Sequence, residues 1–164
     1  MRVTVYGSSS PRTPQAYLDT AADCGRLIAA SGWILVNGAG SGGCMGALND
    51  GCLAAGGRVE GVILRQFLDQ GLVHPELQDV QVAETMRERK RLLASGSQAY
   101  LVLPGGPGTW EELWEIAVER QIGVSTAPLV LIDVDGFYAG FIAQLRRAYE
   151  DGLLYGPQGA LLQL

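Results

Sequence analysis

The chain is poor in metal-binding and cross-linking residues. It has one histidine, His74, which argues against a histidine-built zinc site. Its three cysteines, Cys24, Cys44 and Cys52, are odd in number and have no paired spacing, so a disulfide scaffold is not expected. Charged residues make up only 18%, too few for a solvated, disordered tail. The net charge of −5 spreads no basic field over the molecule and disfavours a nucleic-acid partner. No apolar run reaches the roughly 18 residues of a membrane span. The opening residues MRVTVYGSSS read as a strand and not as a signal peptide, so a cytoplasmic protein without membrane contact is expected.

What the chain has is apolar residues and glycine. Of its 164 residues, 48% are apolar, and one domain over residues 1–164 is expected. A chain of this size buries roughly 70% of its unfolded surface. The 23 glycines have no three-residue period, so collagen is excluded, and they cluster beside apolar runs. Strand-like and helix-like segments alternate. Strands are expected at 3–6, 33–36, 59–64, 80–83, 100–103 and 128–132. Helices are expected from Pro14, with Thr13 as N-cap, to about Ala30, and then over 44–55, 85–95, 109–121 and 138–150. A loop and a short helix fill 65–79. Continuous apolar strands with Gly-rich turns predict a doubly wound, mostly parallel α/β sheet of Rossmann-like type, helices on both faces. Its strand ends and glycines line one edge, where a ligand sits. The tail from Gly152 is expected to be loosely held.

Two glycine-rich turns face that edge. Gly38, Gly40 and Gly43 satisfy G-x-G-x-x-G between a strand and a helix. They fit a pyrophosphate cradle or a turn that lets helix and strand pack closely. A dinucleotide site is the weaker reading. The motif follows the second strand, and the next one ends in Leu64-Arg65 without an acid for a ribose hydroxyl. The second turn, Pro104-Gly105-Gly106-Pro107-Gly108-Thr109-Trp110-Glu111-Glu112, opens a helix. Its N–H groups at Gly106, Gly108 and Thr109 are free to hold a phosphate, helped by the helix dipole. Thr109 and Glu112 also have capping-box spacing.

The segment 84–95, ETMRERKRLLAS, carries four cations. At about 100° per residue, Met86, Leu92 and Leu93 form its apolar stripe. Arg87 and Arg91 point away from the stripe, Arg89 falls inside it and Lys90 flanks it. A buried arginine needs partners, either a structural carboxylate or a ligand anion.

Met86-Arg87-Glu88-Arg89-Lys90 followed by Pro104-Gly105-Gly106-Pro107-Gly108-Thr109-Trp110-Glu111-Glu112 resembles the paired motif of the LOG ("lonely guy") family. Val5-Tyr6-Gly7-Ser8-Ser9, Gly40 to Gly46 and Val134-Asp135-Gly136-Phe137-Tyr138 are similar to the family as well. Its members are cytokinin riboside 5′-monophosphate phosphoribohydrolases, often misannotated as lysine decarboxylases. The resemblance implies hydrolysis of the N-glycosidic bond of an adenine-type nucleoside 5′-monophosphate, giving free base and ribose 5-phosphate without cofactor or metal. It puts the catalytic residues on Arg89 and Glu112. It puts substrate contacts on Lys90, Gly105, Gly106, Gly108, Thr109 and Glu111, and also on Met86, Ser8 and Gly43. It implies a homodimer with sites near the interface. Arg87 stands where the family usually has histidine, Asn37-Gly38-Ala39-Gly40 replaces a more usual Tyr-Gly-Gly-Gly, and an acid common before His74 is absent.

At a helix start, Glu112 is expected to be ionised near neutral pH, suiting an electrostatic or base role and not that of a general acid. A molybdenum-cofactor or nucleotide carrier without turnover is the alternative; it does not need Arg89 and Glu112 as a pair.

Overall fold

The structure is a computed structural model and describes residues 1–155 and 162–163. Six strands form one sheet: β1 (Arg2–Tyr6), β2 (Ile34–Asn37), β3 (Arg58–Leu64), β4 (Asp79–Ala83), β5 (Ala99–Val102) and β6 (Leu129–Leu131). Their order is β4-β3-β2-β1-β5-β6 and every pair is parallel. The chain builds outward from β1 to β4, then returns to the other side of β1 for β5. That reversal opens a crevice at the carboxyl ends of β1 and β5, the place where ligands bind in open α/β sheets.

Six helices connect the strands: α1 (Gln15–Ala30), α2 (Gly43–Ala54), α3 (Arg65–Asp69), α4 (Met86–Ala94), α5 (Pro107–Gln121) and α6 (Ala139–Glu150). Strand side chains alternate between faces. Val3, Val5 and Leu35 pack with Ala21, Ile28, Leu48 and Cys52 of α1 and α2. Tyr6, Val36 and Val102 pack with Leu93, Leu113, Ile116 and Leu145 of α4, α5 and α6. The doubly wound sheet with helices on both faces is therefore as expected. Helices α1 and α2 cross closely because glycine lies at the contact. A Cβ on Gly25 would sit 2.2 Å from the Leu48 carbonyl oxygen, and one on Gly51 2.2 Å from that of Ala22.

Two local expectations need correction. Thr13 does not cap α1: Pro14 is the N-cap, and the Thr13 hydroxyl donates to the Ser10 carbonyl at 2.8 Å. The tail is held where it is described. Leu162 is buried in the core, and Gln163 pairs with β6, its N–H donating to the Leu129 carbonyl at 2.8 Å. Residues 156–161 and 164 lie outside the described part. Among the described residues, no helix is long and apolar enough to cross a membrane.

Candidate active site

Arg89 reaches the sheet edge because α4 is short and firmly started. Thr85 caps it, accepting from the Glu88 N–H at 3.2 Å, while the Glu88 carboxylate accepts from the Glu84 N–H at 2.9 Å. One turn before the buried Leu93, Arg89 shares its inward face and is only 8% exposed. Its Nε donates to the Val62 carbonyl at 3.1 Å, and Nη1 donates to Glu112 Oε1 at 3.2 Å. Arg87 and Arg91 are exposed, as their helical positions require. Met86 is also exposed and does not join the apolar stripe. As the first residue of α4, it precedes the turn that packs on the core.

Glu112 comes from α5, whose N-cap is Gly106 with Pro107 as first residue. This displaces the expected capping box: Thr109 lies inside the helix, and Glu112 turns to Arg89 instead of to an N–H at the cap. Burial pushes the Glu112 carboxyl up to about 7, against the lowering effect of the Arg89 charge. The expectation of a firmly ionised Glu112 therefore fails. The carboxylate belongs to the second turn of α5, and the dipole's influence fades within the first. A buried ion pair of this kind contributes little net stability, so folding alone does not account for it.

Lys90 lies beside the pair, its Nζ 2.8 Å from Glu111 Oε1 and 3.3 Å from Glu115 Oε2. The Glu111 hydrogen bond raises its pKa. At the start of α5, the first helical bond runs from the Trp110 N–H to the Gly106 carbonyl, which leaves the Gly108 and Thr109 N–H groups without helical acceptors. A Cβ on Gly106 or Gly108 would meet nothing within 4 Å among the described residues. Gly105 differs: its Cβ would lie 2.2 Å from Thr109 Oγ1, and it makes room for the buried Thr109.

The G-x-G-x-x-G glycines resolve as close packing. A Cβ on Gly38 would fall 2.2 Å from Arg89 Nη2, so Gly38 is the clearance for the guanidinium. Gly40 lies against the Met45 sulfur. Gly43, at φ +58°, opens α2 beneath the loop after β1, where a Cβ would sit 2.6 Å from the Ser8 carbonyl oxygen. Ser8 binds loop to loop, its N–H donating to the Pro104 carbonyl at 3.0 Å and its Oγ accepting from the Ser10 N–H at 3.1 Å. Arg89, Lys90, Glu111 and Glu112 are thus brought together beside the opening of α5, while Gly43 and Ser8 support the neighbouring loops.

Sequence reasoning missed the cavity in front of Arg89, about 320 Å³. Ser9, Met45, Ile63, Phe67 and Leu72 help line it. The loop that brings Gly38 and Gly40 to its wall is held by Asn37 and Asn49, both buried. Asn37 Nδ2 donates to Asn49 Oδ1 at 2.5 Å, Asn37 Oδ1 accepts from the Ala39 N–H at 2.8 Å, and Asn49 Nδ2 donates to the Gly40 carbonyl at 3.2 Å. These bonds hold Ala39 at φ 60°, a conformation that costs a non-glycine residue energy. The segment carrying Leu72 is fastened to the same loop: the Ser41 N–H donates to the Leu72 carbonyl at 3.1 Å and the His74 N–H to the Ala39 carbonyl at 2.9 Å. An asparagine closing an apolar strand was the available signal. Among the described residues, no group of three or more His, Cys, Asp or Glu could hold a metal ion.

Comparison with known proteins gives the family and the fold. Residues 45–164 match the family model described as "Possible lysine decarboxylase". The chain is 35% identical over 157 residues to the cytokinin riboside 5′-monophosphate phosphoribohydrolase LOG5 of Arabidopsis thaliana, covering 96% of this chain and 69% of the relative. It is 37% identical over 152 residues to the cytokinin riboside 5′-monophosphate phosphoribohydrolase of Mycobacterium tuberculosis, covering 93% of this chain and 78% of the relative. In fold it is similar to the molybdenum cofactor binding protein of Rippkaea orientalis, with a TM-score of 0.71 and 19% identity over 99% of this chain and 85% of that one. The chain belongs to the "Possible lysine decarboxylase" family, within its LOG-type phosphoribohydrolase branch.

Proposed function

We propose that the protein hydrolyses the N-glycosidic bond of cytokinin riboside 5′-monophosphates, and of AMP, releasing the free base and ribose 5-phosphate. The observation that carries this reading is the buried Arg89–Glu112 pair beside the open N–H groups of α5. Cleavage of the bond develops positive charge on the ribose ring. A carboxylate fixed in a water-poor site stabilises that charge and orients the attacking water. The water adds its oxygen to the anomeric carbon, and the departing base gains a proton. Arg89 is the positioning residue: its two hydrogen bonds hold the Glu112 carboxylate against the sheet edge. The Gly106–Thr109 turn receives the 5′-phosphate, so a nucleoside without phosphate reacts poorly.

The same reading makes this a cytoplasmic homodimer. Trp110, Trp114 and Val118 of α5 and Ile122 at its C-cap recur at four-residue steps and are 41–59% exposed, an apolar stripe suited to a second copy. The likeness to the molybdenum cofactor binding protein is one of fold, and the carrier reading gives the Arg89–Glu112 pair no task.

The test is incubation with AMP and with isopentenyladenosine 5′-monophosphate, with free base followed by chromatography. Base released by the wild type and lost in Glu112→Gln supports the reading. Normal turnover in Glu112→Gln sinks the mechanism, and no base from either nucleotide moves the assignment to a carrier.

A further inference from the structure

A phosphate dianion needs more positive charge than the site described above supplies. Arg89 and Lys90 bring two positive charges, but Glu111, Glu112 and Glu115 bring three negative ones and engage both cations directly. Protonating Glu112 only balances the sum. The N–H groups of α5 add about half a charge through the helix dipole. Left to these groups, the site would not hold a doubly charged ligand well.

A second cleft adjoins it. Its volume is about 200 Å³, and it lies between the loop after β1 and the turn after β5, at the point where the strand order reverses. Ser8, Ser10 and Thr13 bring hydroxyls to it, and Gly105, at the head of the α5 turn, is part of its wall. Arg12 lines the same cleft. Its backbone N–H is fixed by Ser10 Oγ at 3.3 Å, whereas its guanidinium pairs with no carboxylate among the described residues. Most cations near the other loops are already engaged, as Arg65 is by Glu84.

We propose that this cleft is a phosphate subsite in which Arg12 provides the charge that holds the substrate's 5′-phosphate. The inference rests on the hydrolase reading above for its substrate. A guanidinium suits a phosphate because its planar fork donates two hydrogen bonds at once. The Ser10 hydroxyl, which accepts from the Arg12 N–H and keeps its own proton, is placed to add a neutral hydrogen bond, and the α5 turn completes the shell from the other side. Arg12 is thus a binding residue that leaves the bond-breaking step to Glu112.

The experiment compares wild type, Arg12→Gln and Arg12→Lys with AMP and with adenosine, and measures ribose 5-phosphate binding to each by calorimetry. Arg12 is exposed, so its variants keep the fold. Loss of a charge-assisted contact raises KM for AMP about 10- to 100-fold, with kcat changed little. Ribose 5-phosphate binding weakens by the same factor, adenosine turnover stays at its wild-type level, and Arg12→Lys restores part of the affinity. An unchanged KM and unchanged ribose 5-phosphate affinity in Arg12→Gln overturn the proposal. If the wild type releases no base, the hydrolase reading fails, and calorimetry decides Arg12 on its own. Weaker ribose 5-phosphate binding in Arg12→Gln supports the subsite; equal binding, or none to the wild type, overturns it.

Discussion

Replacing Glu112 by glutamine removes one titrating group from the interior while keeping its shape and an acceptor for Arg89. In the folded protein burial pushes this carboxyl from 4.5 up to about 7. The folded state therefore binds the proton more tightly than the unfolded chain, and ionisation favours unfolding. Stability lost to this group begins as pH rises through the unfolded value of 4.5 and is complete above about 7. At 1.36 kcal/mol per unit, the whole loss is about 3 kcal/mol. Urea unfolding of wild type and Glu112→Gln, at matched ionic strength from about pH 4 to about pH 8.5, reads it directly. The stability difference between the two proteins should change by about 3 kcal/mol across that window, the wild type losing ground as pH rises. Titrating groups that are not coupled to Glu112 cancel in the difference. Two parallel curves would refute the buried, proton-holding carboxylate. Turnover should move the opposite way, rising as Glu112 ionises near pH 7, because only the anion stabilises positive charge on the ribose.

Gly38→Ala places a methyl group 2.2 Å from Arg89 Nη2 and should displace the guanidinium. Misplacing a positioned group by an ångström costs about 100-fold in rate, so kcat for AMP should fall by that order. Gly51→Ala puts its methyl 2.2 Å from the Ala22 carbonyl oxygen and forces α1 from α2. Urea unfolding should show a loss of about 1–3 kcal/mol, with KM for AMP unchanged. Trp114→Glu sets a charge in the exposed stripe of α5 and should convert the dimer to monomers in sedimentation analysis; a wild type that sediments as a monomer would contradict the proposed interface.

Arg89 was readable from the sequence because helical periodicity is rigid. Once Leu92 and Leu93 mark the inner face of α4, Arg89 must share it, and burial without a partner is too costly to leave unanswered. The two glycine turns were readable as positions but not as roles. Gly38 looked like part of a phosphate cradle, yet the atom that needs its missing side chain belongs to Arg89, on an element about 50 residues downstream. Glu112 looked like the end of a capping box because local spacing cannot say where a helix begins. Pro107 starts α5 two residues earlier than expected, and that shift carries Glu112 from the dipole's reach into the interior.

The division follows from the range of the forces involved. Short-range rules of periodicity, apolar runs and turn residues sufficed for the alternation of strands and helices, for the parallel sheet with two covered faces, and for the inward direction of Arg89. The raised proton affinity of Glu112, the clearance at Gly38, the Asn37–Asn49 bond and the placement of Arg12 in the cleft beside the α5 turn were settled by tertiary structure alone. Each depends on what a residue from a distant part of the chain excludes, neutralises or leaves exposed. Desolvation and charge pairing act through space, and spacing along the chain does not report them.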